Sequence, residues 1–373
     1  MIFDFKRIKG WPASRLITVN VRYNHFNTIR LSMAMLVIWS HCFAIYYGTE
    51  ANEPISLLLA GHYNAGNVGV RVFFIVSGFL ITQSFIHNPD VKLFMKKRVV
   101  RIYPGFLTAA AICIVVIIPL FSTRLDMSAS DVFRIIFQNL LLRGAMPESD
   151  AFSTNPVQEI NGALWSISFE FWCYIATAVL GFLGLLQRRA IILVVYITLA
   201  VTRIWLDLTG RQPGGGILDE IIGWPYLWFS IAPCFLIGAL AHLFNEKIPR
   251  SGLLLLSFII ALIISAHTSK IACDLLFPIA AAYGTFYAAF SATRLPDAAK
   301  FGDFSYGTYL YGFPIQQMLR TLDITFFPFI LMSGLLAISA GVASWFIIER
   351  HFLEQKNKTK IVDSGVGKSS RND

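Results

Sequence analysis

Stretches of roughly twenty apolar residues follow one another along this chain, and they fix the class of fold open to it. Segments such as LLLLSFIIALIISA (253–266) and FPFILMSGLLAISAGVASWFII (327–348) are apolar all round. A helix on the surface of a soluble protein keeps one polar face, and a membrane β-strand alternates residue by residue, so neither pattern fits. The chain reads as all-α, a polytopic integral membrane protein with about ten transmembrane helices. They are expected near 27–48, 66–87, 103–122, 162–186, 190–206, 224–244, 251–267, 271–292, 303–322 and 326–348.

Charge sets the orientation. Lys92, Lys96, Lys97, Arg98, Arg101, Arg188, Arg189, Lys247, Arg250, Arg294 and Lys300 gather in alternate interhelical segments, and more basic residues crowd both ends. That is the positive-inside pattern, and it places both termini in the cytoplasm. The net charge of +9 is thereby accounted for by topology, which argues against a nucleic-acid partner. Residues 1–26 read as a cytoplasmic extension without the apolar core and cleavage site of a signal peptide, 27–350 as the membrane domain, and 351–373 as a polar, disordered cytoplasmic tail. Cys42, Cys113, Cys173, Cys234 and Cys273 stand singly in apolar runs, so neither a disulfide framework nor a metal site is expected. Of the outer segments, 123–161 is the longest, and its DVFRIIFQNLLLR has the periodicity of a helix lying on the membrane surface. In 207–223, Pro213 and the three glycines after it read as a turn; Trp224 and Trp228 read as interfacial anchors.

Polar residues inside apolar spans mark where chemistry is to be sought, because a charge at mid-bilayer costs about 2.5–3.5 kcal/mol or more. The run TIRLSMAMLVIWSHCFAIYYG carries Arg30 and His41. Eleven residues are close to three helical turns, so both side chains share a face roughly 16 Å apart, with His41 expected near mid-depth. A single intramembrane histidine also serves simply to hydrogen-bond a neighbouring helix. Further polar residues are Arg71 and Ser77 in GVRVFFIVSGFLI, Arg98 and Arg101 in KKRVVRIYP, and Ser166 and Glu170 in WSISFEFWCY.

Taken in order, these segments resemble the integral-membrane acyltransferase 3 family, which includes O-antigen, exopolysaccharide and nodulation-factor O-acetyltransferases. The resemblance covers nearly the whole chain. It rests on Arg30 and His41, Phe73 to Ile81, Arg98 to Pro104, Trp165 with Ser166 and Glu170, SYGTYLYGFP (305–314), and Ile348 to Arg350. It implies a multi-pass enzyme of the bacterial inner membrane. Such an enzyme takes an acyl group, usually acetyl, from cytoplasmic acyl-CoA and delivers it to a glycan hydroxyl on the outer side, without a metal. Many members have a histidine near the position of Gly312 and an acidic residue where this chain has Arg71, so those roles do not carry over.

O-acylation needs a hydroxyl to lose its proton as it attacks a thioester, a task suited to imidazole near neutral pH, which makes His41 the expected general base or acyl carrier. Glu170 is expected to orient it or to stabilise its protonated form, or else to pair with Arg71 or Arg30 as a packing contact. Arg98 and Arg101 suit the anionic head of coenzyme A, although a KKRxxR run also serves topology and lipid contact, and Arg30 is expected to guide the phosphates or the pantetheine portion. Ser77, Trp165, Ser166 and Tyr309 are expected lining or hydrogen-bonding residues, or packing. Two other functions stay open: a transporter or flippase without thioester chemistry, and an O-acyltransferase acting on a lipid or small molecule.

Overall fold

A computed structural model describes residues 25–125, 127–244, 248–291, 298 and 300–353. The expected N-terminal extension up to residue 24, the tail from residue 354, and Lys247 and Arg294 lie outside the described residues.

The described chain is helical. Helix α1 (Phe26–Tyr47) is followed by the short α2 (Pro54–Leu58), α3 (Ala65–His87) and α4 (Val91–Ile112). A π-helical turn (Cys113–Ile117) carries α4 into α5 (Ile118–Phe121). Then come α6 (Ala129–Leu140), α7 (Trp165–Phe182), α8 (Arg189–Thr209), α9 (Gly216–Ile222) and α10 (Pro225–Leu243). The chain continues through α11 (Gly252–Thr268), α12 (Lys270–Ser291), α13 (Ser305–Arg320) and α14 (Phe326–Ser344), which runs into a second π-helical turn (Trp345–Glu349). Each of the ten expected spans coincides with a helix, and eight of these are long and apolar enough to cross a bilayer. The other two are shorter: α11 has 17 residues and α13 has 16.

The core is built around α3, which packs on α1, α7, α10 and α12, and around α13, which packs on α1, α4 and α14. Helix α13 is buried along almost its whole length despite its tyrosines and glutamines. The buried amide nitrogens find acceptors: Gln316 donates to the Ile38 carbonyl (2.8 Å) and Gln317 to the carbonyls of Val157 and Glu159 (2.9 and 2.7 Å). The outward faces of α8, α11 and α14 are instead apolar and exposed, through residues such as Val194, Leu253 and Leu335, as lipid-facing surfaces are.

Two glycines let α3 and α10 approach closely. A Cβ on Gly78 of α3 would lie 1.9 Å from the Phe235 carbonyl oxygen, and one on Gly238 of α10 would lie 2.0 Å from that of Ile75. Only hydrogen fits there, so the two backbones touch as small-residue helix interfaces in membranes do.

The segment 123–161 has two parts. Helix α6 is amphipathic as anticipated: Phe133, Ile136, Phe137 and Leu140 are exposed on one side while Ile135 and Asn139 turn inward. The rest packs into the protein. Ala151, Phe152 and Ile160 form a small core with Cys113, Ile117 and Ile118, and Asn155 and Asn161 donate to the carbonyls of Gln317 and Leu310. Trp228, read as an interfacial anchor, packs its ring 4.8 Å from Phe169 and donates to the Ile222 carbonyl.

Candidate active site

Two cavities meet inside the bundle. The first, of about 170 Å³, is lined by Arg30 of α1, Ser77 of α3, Arg98 and Arg101 of α4, Ser166 and Glu170 of α7, and Tyr309 of α13. Seven of the nine expected site residues therefore share one chamber. The second, of about 140 Å³, holds the other two, His41 and Trp165, with Glu50, Asn64, Asn67 and Arg71. Val70 and Tyr309 line both cavities and form the wall between them. Tyr309 is held in that wall: its hydroxyl donates to the Ala163 carbonyl (2.8 Å), so Ser166 Oγ, at 2.7 Å, must donate to it.

The arginine chamber is wired by an ion-pair network. Arg30 and Arg101 both donate to Asp303 Oδ2 (2.8 and 2.7 Å), and the other arm of Arg101 reaches Glu349 Oε2 (3.0 Å). Ser305 and Ser344 complete the carboxylates' bonds at 2.6 and 3.0 Å. The π-helical turn at the end of α14 places Glu349 against Arg101; such turns recur at functional sites. Arg98 is bound differently. It donates to Ser84 Oγ (3.2 Å) and lies over the rings of Phe94 and Tyr174, and among the described residues it has no carboxylate within salt-bridge distance. It is the arginine of this chamber with charge to spare for a ligand.

Nothing in the sequence alone singles out Asp303 and Glu349 as site residues. Asp303 precedes the SYGTYLYGFP segment and Glu349 lies in the Ile348–Arg350 segment, so both sit in or beside motifs that carry the family resemblance. Their partners are 273 and 248 residues away in sequence, beyond the reach of any spacing argument.

Asp303 is the shared counter-charge of Arg30 and Arg101, and removing it leaves two guanidinium groups side by side with only Glu349, on Arg101, to compensate them. Asp303→Asn is therefore expected to lower the thermal midpoint of detergent-solubilised protein at pH 7. An unchanged midpoint would show that the ion pairs contribute nothing to stability.

The geometry separates two residues expected to touch. Glu170 accepts hydrogen bonds from Tyr174 (2.5 Å) and Ser77 (3.1 Å) and lines the arginine chamber, whereas His41 lines the other. Among the described residues Glu170 forms no ion pair, so the alternative pairing with Arg30 or Arg71 is not seen either. His41 also sits six residues from the end of α1 at Tyr47, closer to that end than the mid-depth expected. Its ring packs edge-on against Phe313 at 5.1 Å. Among the described residues neither of its nitrogens has a hydrogen-bond partner.

The carboxylate that shares the His41 chamber is Glu50. It accepts from Ser40 Oγ (2.8 Å) and from the Asn64 amide. Burial raises its carboxyl above the ordinary glutamate value; the bond from Ser40 offsets part of this, Glu53 adds to it, and the Asn64 bond offsets it further. Glu53 is fully buried and belongs to the scaffold, capping α2 through the N–H groups of Ile55 and Ser56 and also accepting from Ala65. Arg71 is fixed by Asn67 Oδ1 and Ser230 Oγ, both at 2.6 Å, and stands over the Tyr63 ring. Glu50, Asn64 and Asn67 give no signal in the sequence, because they lie in or beside the connection after α1, where polar residues are ordinary. At Gly312 a Cβ would meet Ile38 Cγ1 at 2.7 Å, so any larger side chain there requires Ile38 to shift. Among the described residues no three His, Cys, Asp or Glu gather as a metal site.

Comparison with known proteins gives a consistent answer. A family described as an acyltransferase domain, acyltransferase 3, matches residues 23–349. The chain is similar to a protein named O-acetyl transferase from Shigella phage Sf6, at 28% identity over 348 residues, covering 91% of this chain and 99% of that one. It is also similar to nodulation protein 10 of Rhizobium leguminosarum bv. viciae, at 25% identity over 351 residues, covering 88% and 92%. No solved structure matches significantly.

Proposed function

The chain belongs to the acyltransferase 3 family and is an O-acyltransferase, and on that premise we propose that it carries an acyl group, acetyl in the first instance, across a bacterial inner membrane. The donor is cytoplasmic acyl-CoA and the acceptor is a hydroxyl of a cell-surface or secreted glycan. The observation that carries this reading is the pair of cavities sharing the Val70–Tyr309 wall, with arginines on one side and His41 on the other. The arginine face is cytoplasmic and both termini lie inside.

The division of labour follows from the chemistry of each chamber. Arg98 takes the phosphates of coenzyme A, and Arg30 and Arg101, held by Asp303 and Glu349, keep the mouth cationic and rigid. The pantetheine arm is thin enough to run past Ser77 towards Tyr309. On the far side Trp165 offers an indole face to a sugar ring, while Asn64, Asn67 and Arg71 supply donors for its hydroxyls. His41 accepts the acceptor's hydroxyl proton as its oxygen attacks the thioester carbonyl. The carbon–sulfur bond then breaks, and the coenzyme A thiolate leaves with that proton. Glu50, in the same chamber, stabilises the imidazolium that exists between the two proton transfers.

Steady-state kinetics on Arg98→Ala and Trp165→Ala test this division. Losing one charge-assisted contact, worth about 1.5–3 kcal/mol, should raise the KM for acetyl-CoA roughly ten- to a hundred-fold in Arg98→Ala with the acceptor KM unmoved. Trp165→Ala should raise the acceptor KM alone. Equal changes for both substrates in both variants would contradict two separate chambers.

A further inference from the structure

A third cavity lies away from the reaction path. It is an apolar crevice of about 350 Å³ between α8 and α10 on one side and α11 and α12 on the other, lined by side chains such as Phe79, Ile237, Leu240, Phe258 and Phe286. That volume falls within the ~300–1,000 Å³ of ordinary ligand sites. Helix α11 packs chiefly on α12, so the crevice is a lateral cleft that protein side chains leave unfilled. Its walls carry almost no polar group, and water there would be costly.

One charge stands at its edge. Arg250 lines the crevice with its guanidinium 5.0 Å from the centre of the Phe290 ring, and among the described residues it has no acidic partner. Its position is built: Tyr283 of α12 accepts the Ser251 N–H (2.9 Å) and donates to the Pro249 carbonyl (2.9 Å), pinning the segment that carries Arg250. The His25 N–H bonds the Ala289 carbonyl (3.2 Å), so this edge lies level with the start of α1, on the same side as Arg30. An apolar slot of this size, open sideways and ending in one cation at the level of a membrane surface, matches one amphiphile.

We propose that the crevice binds one anionic phospholipid of the surrounding bilayer, an acyl chain along Phe79 and Phe286 and the phosphate on Arg250. The lipid fills the gap that α11 leaves and ties the α11–α12 pair to the rest of the bundle. Native mass spectrometry of the full chain in detergent tests this, with phosphatidylglycerol and phosphatidylcholine of identical chains as probes. The expected result is a single retained phosphatidylglycerol, held about fivefold more tightly than phosphatidylcholine, as one arginine near a membrane surface provides. Arg250→Gln, a change at the crevice edge, should reduce that preference to near parity, and Ala282→Phe, which fills the crevice, should weaken both lipids. Equal retention of the two lipids by wild type, a preference that survives Arg250→Gln, or a smear of adducts without a single-occupancy step would overturn the proposal.

Discussion

His41→Ala and His41→Gln are expected to lose acyl transfer by roughly 10²–10⁴-fold, the range contributed by a positioned general base, while inserting and melting nearly as wild type does. The second half of that expectation comes from the structure. His41 has no hydrogen-bond partner among the described residues, so removing it strands no buried group. Its packing role is the edge-on approach to Phe313, worth about 0.5–1.5 kcal/mol. Gln keeps much of the volume and a hydrogen-bonding end but cannot accept a proton, so it separates loss of shape from loss of basicity. Equal activity in wild type and His41→Gln would remove the imidazole from the mechanism; activity that falls in step with folded protein would assign His41 to the scaffold.

Gly78→Ala should have the largest effect on stability. Its new Cβ would stand 1.9 Å from the Phe235 carbonyl oxygen, and backbone cannot step aside as a flexible side chain can. Helices α3 and α10 would have to move apart by more than an ångström along an interface that organises the bundle, which weakens dispersion attraction over its whole length. Overpacking typically costs about 1–3 kcal/mol and more where backbone is the obstacle, so a marked fall in thermal midpoint and in folded yield is expected. Gly284→Ala is the control, since its Cβ would find only Leu255 Cδ1 at an ordinary 3.6 Å and alanine favours the helix. If the two substitutions behave alike, the crossing is not as tight as described.

The apolar runs made the helices legible, because a segment that is apolar all round has few places to go except a bilayer. Helix α13 was harder in kind: it is short and rich in Tyr, Gln and Gly, and it is buried because protein, not lipid, surrounds it. The candidate site divided along similar lines. Residues costly to bury, such as Arg30, His41, Arg98, Arg101 and Glu170, stood out from their apolar surroundings, and all of them line one of two adjoining cavities. What the sequence could not carry was pairing. Helical periodicity places Arg30 and His41 on one face of one helix, yet it says nothing of which helix brings a carboxylate to either. Glu170 stands in the chamber of Arg30, the counter-charge of Arg30 is Asp303, and the carboxylate in the chamber of His41 is Glu50. Each of these is a meeting of separate elements that periodicity within one helix does not reach.

The embedded part of 123–161 also bears on how specificity is to be probed. Exchanging the whole segment would remove Asn155 and Asn161 from their bonds to α13, so a swap that tests acceptor choice has to be limited to α6 and its flanks.

The measurement closest to the central claim is the release of coenzyme A from acetyl-CoA supplied to the cytoplasmic side of membrane vesicles, with and without acceptor glycan, for wild type and for His41→Gln at equal abundance. Release is expected to need both the acceptor and His41. Release by wild type that is indifferent to His41, or no release with any acyl-CoA in the presence of acceptor, would contradict that claim.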